Sequence, residues 1–196
     1  MKTINSRTTE YDINDIFLIR YSPRAMSGEP ISKSELMTLF EAARWAPSAS
    51  NIQPWRFLYA IKDTPDFELF FSFLNEGNRI WCKNGGALVI GLSKKNTDDG
   101  KINETHSFDT GAAWENLALE GTMLGLIIHG MAGYNLETLK TELNIPDGYN
   151  VELMIIIGKK GKIEDLPERL QEREKPSQRK NLAEIVFEGK EGVKQL

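Results

Sequence analysis

Hydrophobic and polar positions fall into blocks along this 196-residue chain, each block with its own period. Ile13, Ile16, Phe17 and Ile19 recur at helical spacing, with Asp12 or Asn14 placed to cap them. Ser32-Lys33-Ser34-Glu35 is a capping box. It opens a helix with apolar positions at Leu36, Leu39, Phe40, Ala43 and Trp45. A strand is predicted over 55–61, and a short helix over 67–74 that Asn75-Glu76-Gly77-Asn78 breaks. Gly85-Gly86 leads into a buried strand at 87–92, followed by a charged, mobile loop at 94–101.

The longest helical pattern covers 108–126. Small or apolar residues occupy most of its circumference, which predicts a central or interface helix. Gly111 and Gly121 lower its helix propensity and suggest close approach of another helix. A strand and turn at 127–133, a helix at 136–143, a turn at Pro146-Asp147-Gly148 and a buried strand at 151–157 ending at Gly158 follow. The first dozen residues are polar and partly extended. Beyond Gly161 the chain is a charged arm that ends in an apolar tip, Leu182, Ile185, Val186 and Phe187. Wrapping onto a partner subunit is one way to bury such a tip. The element order predicts an α+β fold in one domain, residues 1–196.

Composition narrows the function classes. Hydrophobic residues make up 40% and charged residues 27%, as in a soluble globular chain. The net charge of -4 gives no argument for a nucleic-acid surface. The longest apolar runs are too short to cross a bilayer. A single cysteine, Cys82, allows no disulfide within the chain and fits a reducing compartment. The segment after Met1 lacks a secretory pattern, so the expected location is cytoplasmic.

The candidate chemistry centres on 47–55, PSASNIQPW, at a helix-to-strand junction. Pro47 and Pro54 stiffen it. Ser48, Ser50, Asn51 and Gln53 offer donors and acceptors without charge, which suits a polar heteroaromatic ring better than a phosphate. An ordinary turn with local side-chain hydrogen bonds is the plainer alternative. Phosphate-grade cations stand elsewhere: Arg20 and Arg24 around Tyr21-Ser22-Pro23, and Arg179-Lys180 near the end. The histidines, His106 and His129, lack metal-ligand spacing, and His129 reads as a packed side chain. Ser48 and Ser50 lack a nucleophile elbow, leaving a serine hydrolase as a weak alternative. Cys82 reads as packing rather than catalysis. No dinucleotide or P-loop fingerprint occurs.

Taken in order, Arg20-Tyr21-Ser22-Pro23-Arg24, PSASNIQPWRF, 111–117 running on to 124–126, 129–134, 157–159 and 176–180 resemble the FMN-dependent nitroreductase family. The likeness covers about 15–189. It implies a nitroreductase-like fold, with a mostly antiparallel central sheet surrounded by helices. It also implies a homodimer with exchanged arms and an FMN at each of two interface sites. Arg20, Tyr21, Ser22 and Arg24 would hold FMN from one subunit, an arginine on the phosphate and Arg24 at the pyrimidine edge. Pro47, Ser48, Ser50, Asn51 and Gln53 would reach the ring from the partner. Met131, Ala132 and Gly133 would lie beside flavin N5 and O4, with Gly158 nearby. Arg179 and Lys180 would meet the phosphate.

Some relatives carry an acidic residue where Ala132 stands, so a side-chain role is missing there. Residues 67–79 match no assignable family segment, which leaves the substrate open. The implied activity is NAD(P)H-dependent reduction of a nitroaromatic, quinone or similar small acceptor by a ping-pong hydride mechanism. A flavin store or redox sensor without turnover would show the same cofactor residues. So would a dehalogenating or flavin-fragmenting enzyme, for which 67–79 leaves little room for a lid.

Overall fold

The computed structural model describes residues 2–195. Its polar start is a hairpin of β1 (Thr3–Ile4) and β2 (Arg7–Thr8), where the sequence suggested only extended chain. Asn5 and Ser6 both take positive φ, the geometry a two-residue hairpin turn requires. Helix α1 (Ile16–Ile19) is shorter than expected; Asn14 Oδ1 accepts the Ile16 N–H at 3.0 Å. The capping box opens α2 (Lys33–Arg44) as read: Ser32 Oγ accepts from Glu35 N–H at 3.1 Å, and Glu35 Oε2 accepts from Ser32 N–H at 2.7 Å. Strand β3 (Trp55–Ile61) has the expected bounds.

Thr64 caps α3 (Pro65–Phe73). The next four residues do not simply break the chain, as expected, but start α4 (Glu76–Cys82). Asn75 Oδ1 accepts the Asn78 N–H at 3.0 Å. An asparagine that looks like a breaker is equally a good N-cap. After β4 (Ala87–Lys94) comes the long helix α5 (His106–Met123). It ends earlier than read because Gly125 takes φ +74, a left-handed stop, and Leu126 already belongs to β5 (Leu126–Met131). Helix α6 (Leu136–Glu142), strand β6 (Tyr149–Lys159) and a short α7 (Glu168–Gln171) lead into the arm, which holds two 3-10 turns, Leu182–Glu184 and Lys190–Gln195.

The larger sheet runs β3-β4-β6-β5 with every pair antiparallel. Both faces are covered, so β4 and β6 read as continuous apolar runs. Alternate residues still separate the two cores. Ala87 and Val89 with Ile155 and Ile157 face α2 and α5, meeting Leu36, Leu39, Ala113 and Leu117. Leu88 and Ile90 with Met154 and Ile156 face the other way, meeting Phe67, Phe70, Phe73, Trp81 and Leu139. Gly121 permits the close approach of α5, but chiefly to a strand. A Cβ there would stand 2.3 Å from Ile128 Cγ1 and 3.5 Å from Leu39 Cδ2. Gly111 faces open space within this chain. Among the described residues no helix is long and apolar enough to cross a membrane.

Candidate functional site

The loop before β3 is held in a conformation that its sequence resists. Ser50, Asn51 and Gln53 all take positive φ, at 48°, 55° and 53°. Such backbone is disfavoured for residues other than glycine and persists only where neighbours enforce it. Here the enforcement is visible. Ser48 Oγ accepts the Gln53 N–H at 3.0 Å. Buried Asp109, in the first turn of α5, accepts the Ala49 N–H at 3.2 Å and the Thr105 hydroxyl at 2.9 Å. Ser50 and Asn51 remain exposed, with Gln53 partly so. This is a rigid, outward-facing polar rim.

Asp109 was not picked out from the sequence, since an acidic residue near a helix start is commonplace. Asp109→Ala is expected to lower stability by about 1–3 kcal/mol, the cost of leaving a buried donor unmet. Urea unfolding measures this; an unchanged midpoint would show that Asp109 does not anchor the loop.

The cations gather where α1 ends and the 177–179 segment returns. Arg7 is 5% exposed. Its Nε donates to the Ser177 carbonyl at 2.9 Å, and its Nη1 donates to the carbonyls of Leu18 at 3.0 Å and Arg20 at 2.5 Å. Arg179 Nη1 donates to the same Ser177 carbonyl at 3.3 Å. Arg20 and Arg179, far apart in sequence, are thereby drawn to one place. Arg20 also reaches Ser22 Oγ at 3.5 Å and Glu115 on α5 at 3.6 Å. Lys180 is exposed beside Arg179. Tyr21 is half-buried, and burial, with Glu174's charge, raises its pKa, so it stays protonated.

Arg24 has a different setting. Glu174, 6% exposed, accepts the Arg24 and Ala25 N–H groups at 2.5 and 2.8 Å and lies 3.8 Å from the Arg24 guanidinium. The guanidinium covers the Trp81 ring at 5.8 Å. Trp81 in turn packs on His129, 4.6 Å between ring centroids. His129 Nδ1 donates to the Pro23 carbonyl at 2.9 Å, as a packed histidine should. Burial first, then the charge of Arg24, lowers the His129 pKa to about 4.

A pH dependence follows from that histidine. Unfolded, the imidazole takes up a proton near 6.5; folded, only near 4. The unfolded state therefore binds more protons between these values, and stability falls as pH drops from about 6.5 to about 4. The loss is on the order of 2 kcal/mol after allowing for partial exposure. Melting curves of wild type and His129→Gln across this window measure it; identical slopes would contradict the assignment.

His129 sits on β5, whose exit is Met131, Ala132 and Gly133. Met131 is buried against Cys82, with 3.3 Å between the sulfurs, and Ala132 is exposed. Gly133 accepts from the Asn75 N–H at 3.0 Å and Asn78 Nδ2 at 2.9 Å, and a Cβ on it would lie 2.5 Å from Asn75 Nδ2. The turn is thus clamped to α4, inside the segment that the sequence left unassigned. Gly158 is buried in β6, paired with Ile127 of β5, and a Cβ on it would stand 2.5 Å from Met26 Sδ.

Other candidates resolve simply. The Cys82 thiol is fully buried and its pKa is pushed up by desolvation, which agrees with packing. His106 bonds Ser93 and Ser107 and His129 bonds Pro23; among the described residues neither histidine hydrogen-bonds Ser48 or Ser50. Among the described residues no group of metal-binding side chains occurs.

Within one chain the polar loop and the cations do not meet. Among the described residues, none of 47–53 hydrogen-bonds or ion-pairs with Arg20, Ser22, Arg24 or Arg179. Both groups touch α5, at Asp109 and Glu115. Six helical residues separate these by about 9 Å and about 120° around the axis. Around them the chain exposes Phe108 (81%), Met123 (62%) and Leu124 from α5 and its end, Phe17 from α1, and Ile185 and Val186 from the arm.

Residues 19–68 match the model of the nitroreductase family. A crystal structure described as an oxidoreductase containing FMN is 46% identical, with a TM-score of 0.93 over 97% of this chain and 98% of that one. The Bacillus subtilis protein MhqN, provisionally named an NAD(P)H nitroreductase, is 26% identical over 71% of this chain and 84% of its own length. A Desulfovibrio desulfuricans protein crystallised with FMN, provisionally named a nitroreductase, shares the fold at a TM-score of 0.72 and 23% identity, covering 92% of this chain and 98% of its own.

Proposed function

Because the chain belongs to the nitroreductase family, we propose that it is an FMN-dependent oxidoreductase that takes electrons from NAD(P)H and passes them to a small-molecule acceptor such as a nitroaromatic or quinone. The observation that carries this reading is the convergence of Arg20 and Arg179 on Arg7, beside the Ser22 hydroxyl. A cluster of cations with a hydroxyl fits the single phosphate of FMN. The rigid rim of Ser48, Ser50, Asn51 and Gln53 supplies uncharged partners for the edge of a ring system. Arg20, Ser22, Arg179 and Lys180 would hold the phosphate end, with Arg24 and the backbone of Met131, Ala132 and Gly133 along the ring.

Bound there, FMN would supply hydride transfer in two half-reactions, with donor and acceptor using the same ring face in turn. The chain's own residues bind, orient and exclude water. His129 stays neutral above about pH 4 and holds the Pro23 carbonyl, so it fixes the 20–24 loop rather than moving a proton. Glu174 fixes the same loop through two backbone N–H groups. Because the rim and the cations stand on different sides of α5, the complete site belongs to a homodimer, each subunit lending its rim to the other.

Steady-state NADPH or NADH oxidation by the FMN-loaded protein, with a nitroaromatic or a quinone, tests the activity. Acceptor-dependent turnover with parallel double-reciprocal lines is expected. A protein that binds FMN but turns over neither acceptor would be a flavin store or sensor instead.

A further inference from the structure

Arg7 is a charged residue with almost no exposure and, among the described residues, no ion pair with an acidic side chain. Its guanidinium bonds only to neutral carbonyls, those of Leu18, Arg20 and Ser177. Burial first, then the repulsive charges of Arg179 and Arg20, lowers its pKa. Among the described residues no hydrogen bond engages its Nη2 group. A buried cation in that position is costly unless something compensates it.

We propose that Arg7 is a positioning residue for the phosphate of FMN: it ties the turns that carry Arg20 and Arg179 into one anion site, and the bound phosphate compensates its buried charge. This rests on the FMN reading above. The geometry gives the reason for the assignment. One planar fork spans three carbonyls from two segments, 18–20 and 177, so the spacing of Arg20 and Arg179 depends on it. Arg7 also begins β2, so the amino-terminal hairpin is fastened to the same knot. Ser6 adds to this tie, its carbonyl accepting from the Gln178 side chain. Binding of the phosphate should therefore steady the hairpin and the 177–179 segment together.

FMN and riboflavin separate this role from a general loss of structure, because they share the ring and differ in the phosphate. Titration of apoprotein with each, for wild type, Arg7→Gln and Arg7→Lys, is the experiment. Arg7→Gln is expected to weaken FMN at least about tenfold, in line with a lost charge-assisted contact, while riboflavin binding stays nearly unchanged. Arg7→Lys keeps the charge but not the fork, and should fall between.

Hydrogen exchange on the wild-type protein adds a readout that needs no variant to fold. FMN should protect 3–8 and 177–179 more than riboflavin does. If wild type binds no FMN, the cofactor reading itself falls. If wild type binds FMN but Arg7→Gln weakens both flavins equally or neither, or the two flavins protect these segments alike, the Arg7 assignment falls and the cofactor reading stands.

Discussion

Dilution of the FMN-loaded protein is expected to dissociate a dimer, release FMN and unfold the chain in a single transition. Three features lead there. The exposed apolar side chains Phe108, Met123, Leu124, Phe17, Ile185 and Val186 come from three different parts of the chain and are available to a partner surface. Gly111, on α5, has open space where a neighbour could approach closely. The polar rim at 47–53 and the arginine cluster touch α5 at points about 120° apart around its axis, so on the proposed function one chain holds half a site. A two-fold dimer would make two equivalent complete sites. An interface of this kind is often inseparable from folding, so stability should depend on concentration. Sedimentation at falling concentration, with flavin fluorescence followed alongside, reads all three events. A monomer that keeps FMN with undiminished affinity would place the whole site within one chain.

Arg20→Ala is expected to weaken FMN binding by about 1.5–3 kcal/mol, the range for a hydrogen bond to a charged group, or roughly 10- to 150-fold in Kd. Arg20 is the cation that both faces the proposed phosphate and is tied by its carbonyl to Arg7. Glu115, at 3.6 Å, offsets only part of its charge because that side chain is 46% exposed to solvent. Arg24→Ala should act differently. On the proposed function its charge would lie along the ring rather than at the phosphate, so removing it should make the flavin's reduction potential more negative with little change in affinity. Glu174, 3.8 Å away and buried, dampens that effect without abolishing it. Apoprotein titration and redox titration separate the two variants. Equal effects of both substitutions in both assays would contradict the division of roles.

Local chemistry made much of the fold legible. The capping box at 32–35 and the bounds of β3 are set by residues within a few positions of each other, and both stand as read. The core strands were visible as apolar runs because helices cover both faces. What escaped was decided at a distance or by residues with two uses. Asn75 could end one helix or cap the next, and only the docking of Gly133 on its backbone N–H and on Asn78 shows why it caps. The hairpin at 3–8 has no apolar period to announce it.

In the site, the polar loop could be found from composition, but not the positive φ of Ser50, Asn51 and Gln53, which Asp109 and Ser48 impose. Arg7 and Glu174 are ordinary charged residues in polar stretches. Their importance comes from contacts with Ser177, 170 positions from Arg7, and with the backbone at 24–25, 150 and 149 positions from Glu174. No local pattern encodes such pairings.

On the proposed function this chain builds a site for a flavin with one phosphate. Chromatography of the flavin released by heating the purified protein is the decisive test of that site. The purified protein is expected to be yellow and to release FMN. Recovery of FAD, or of no flavin even after reconstitution with FMN, would contradict it.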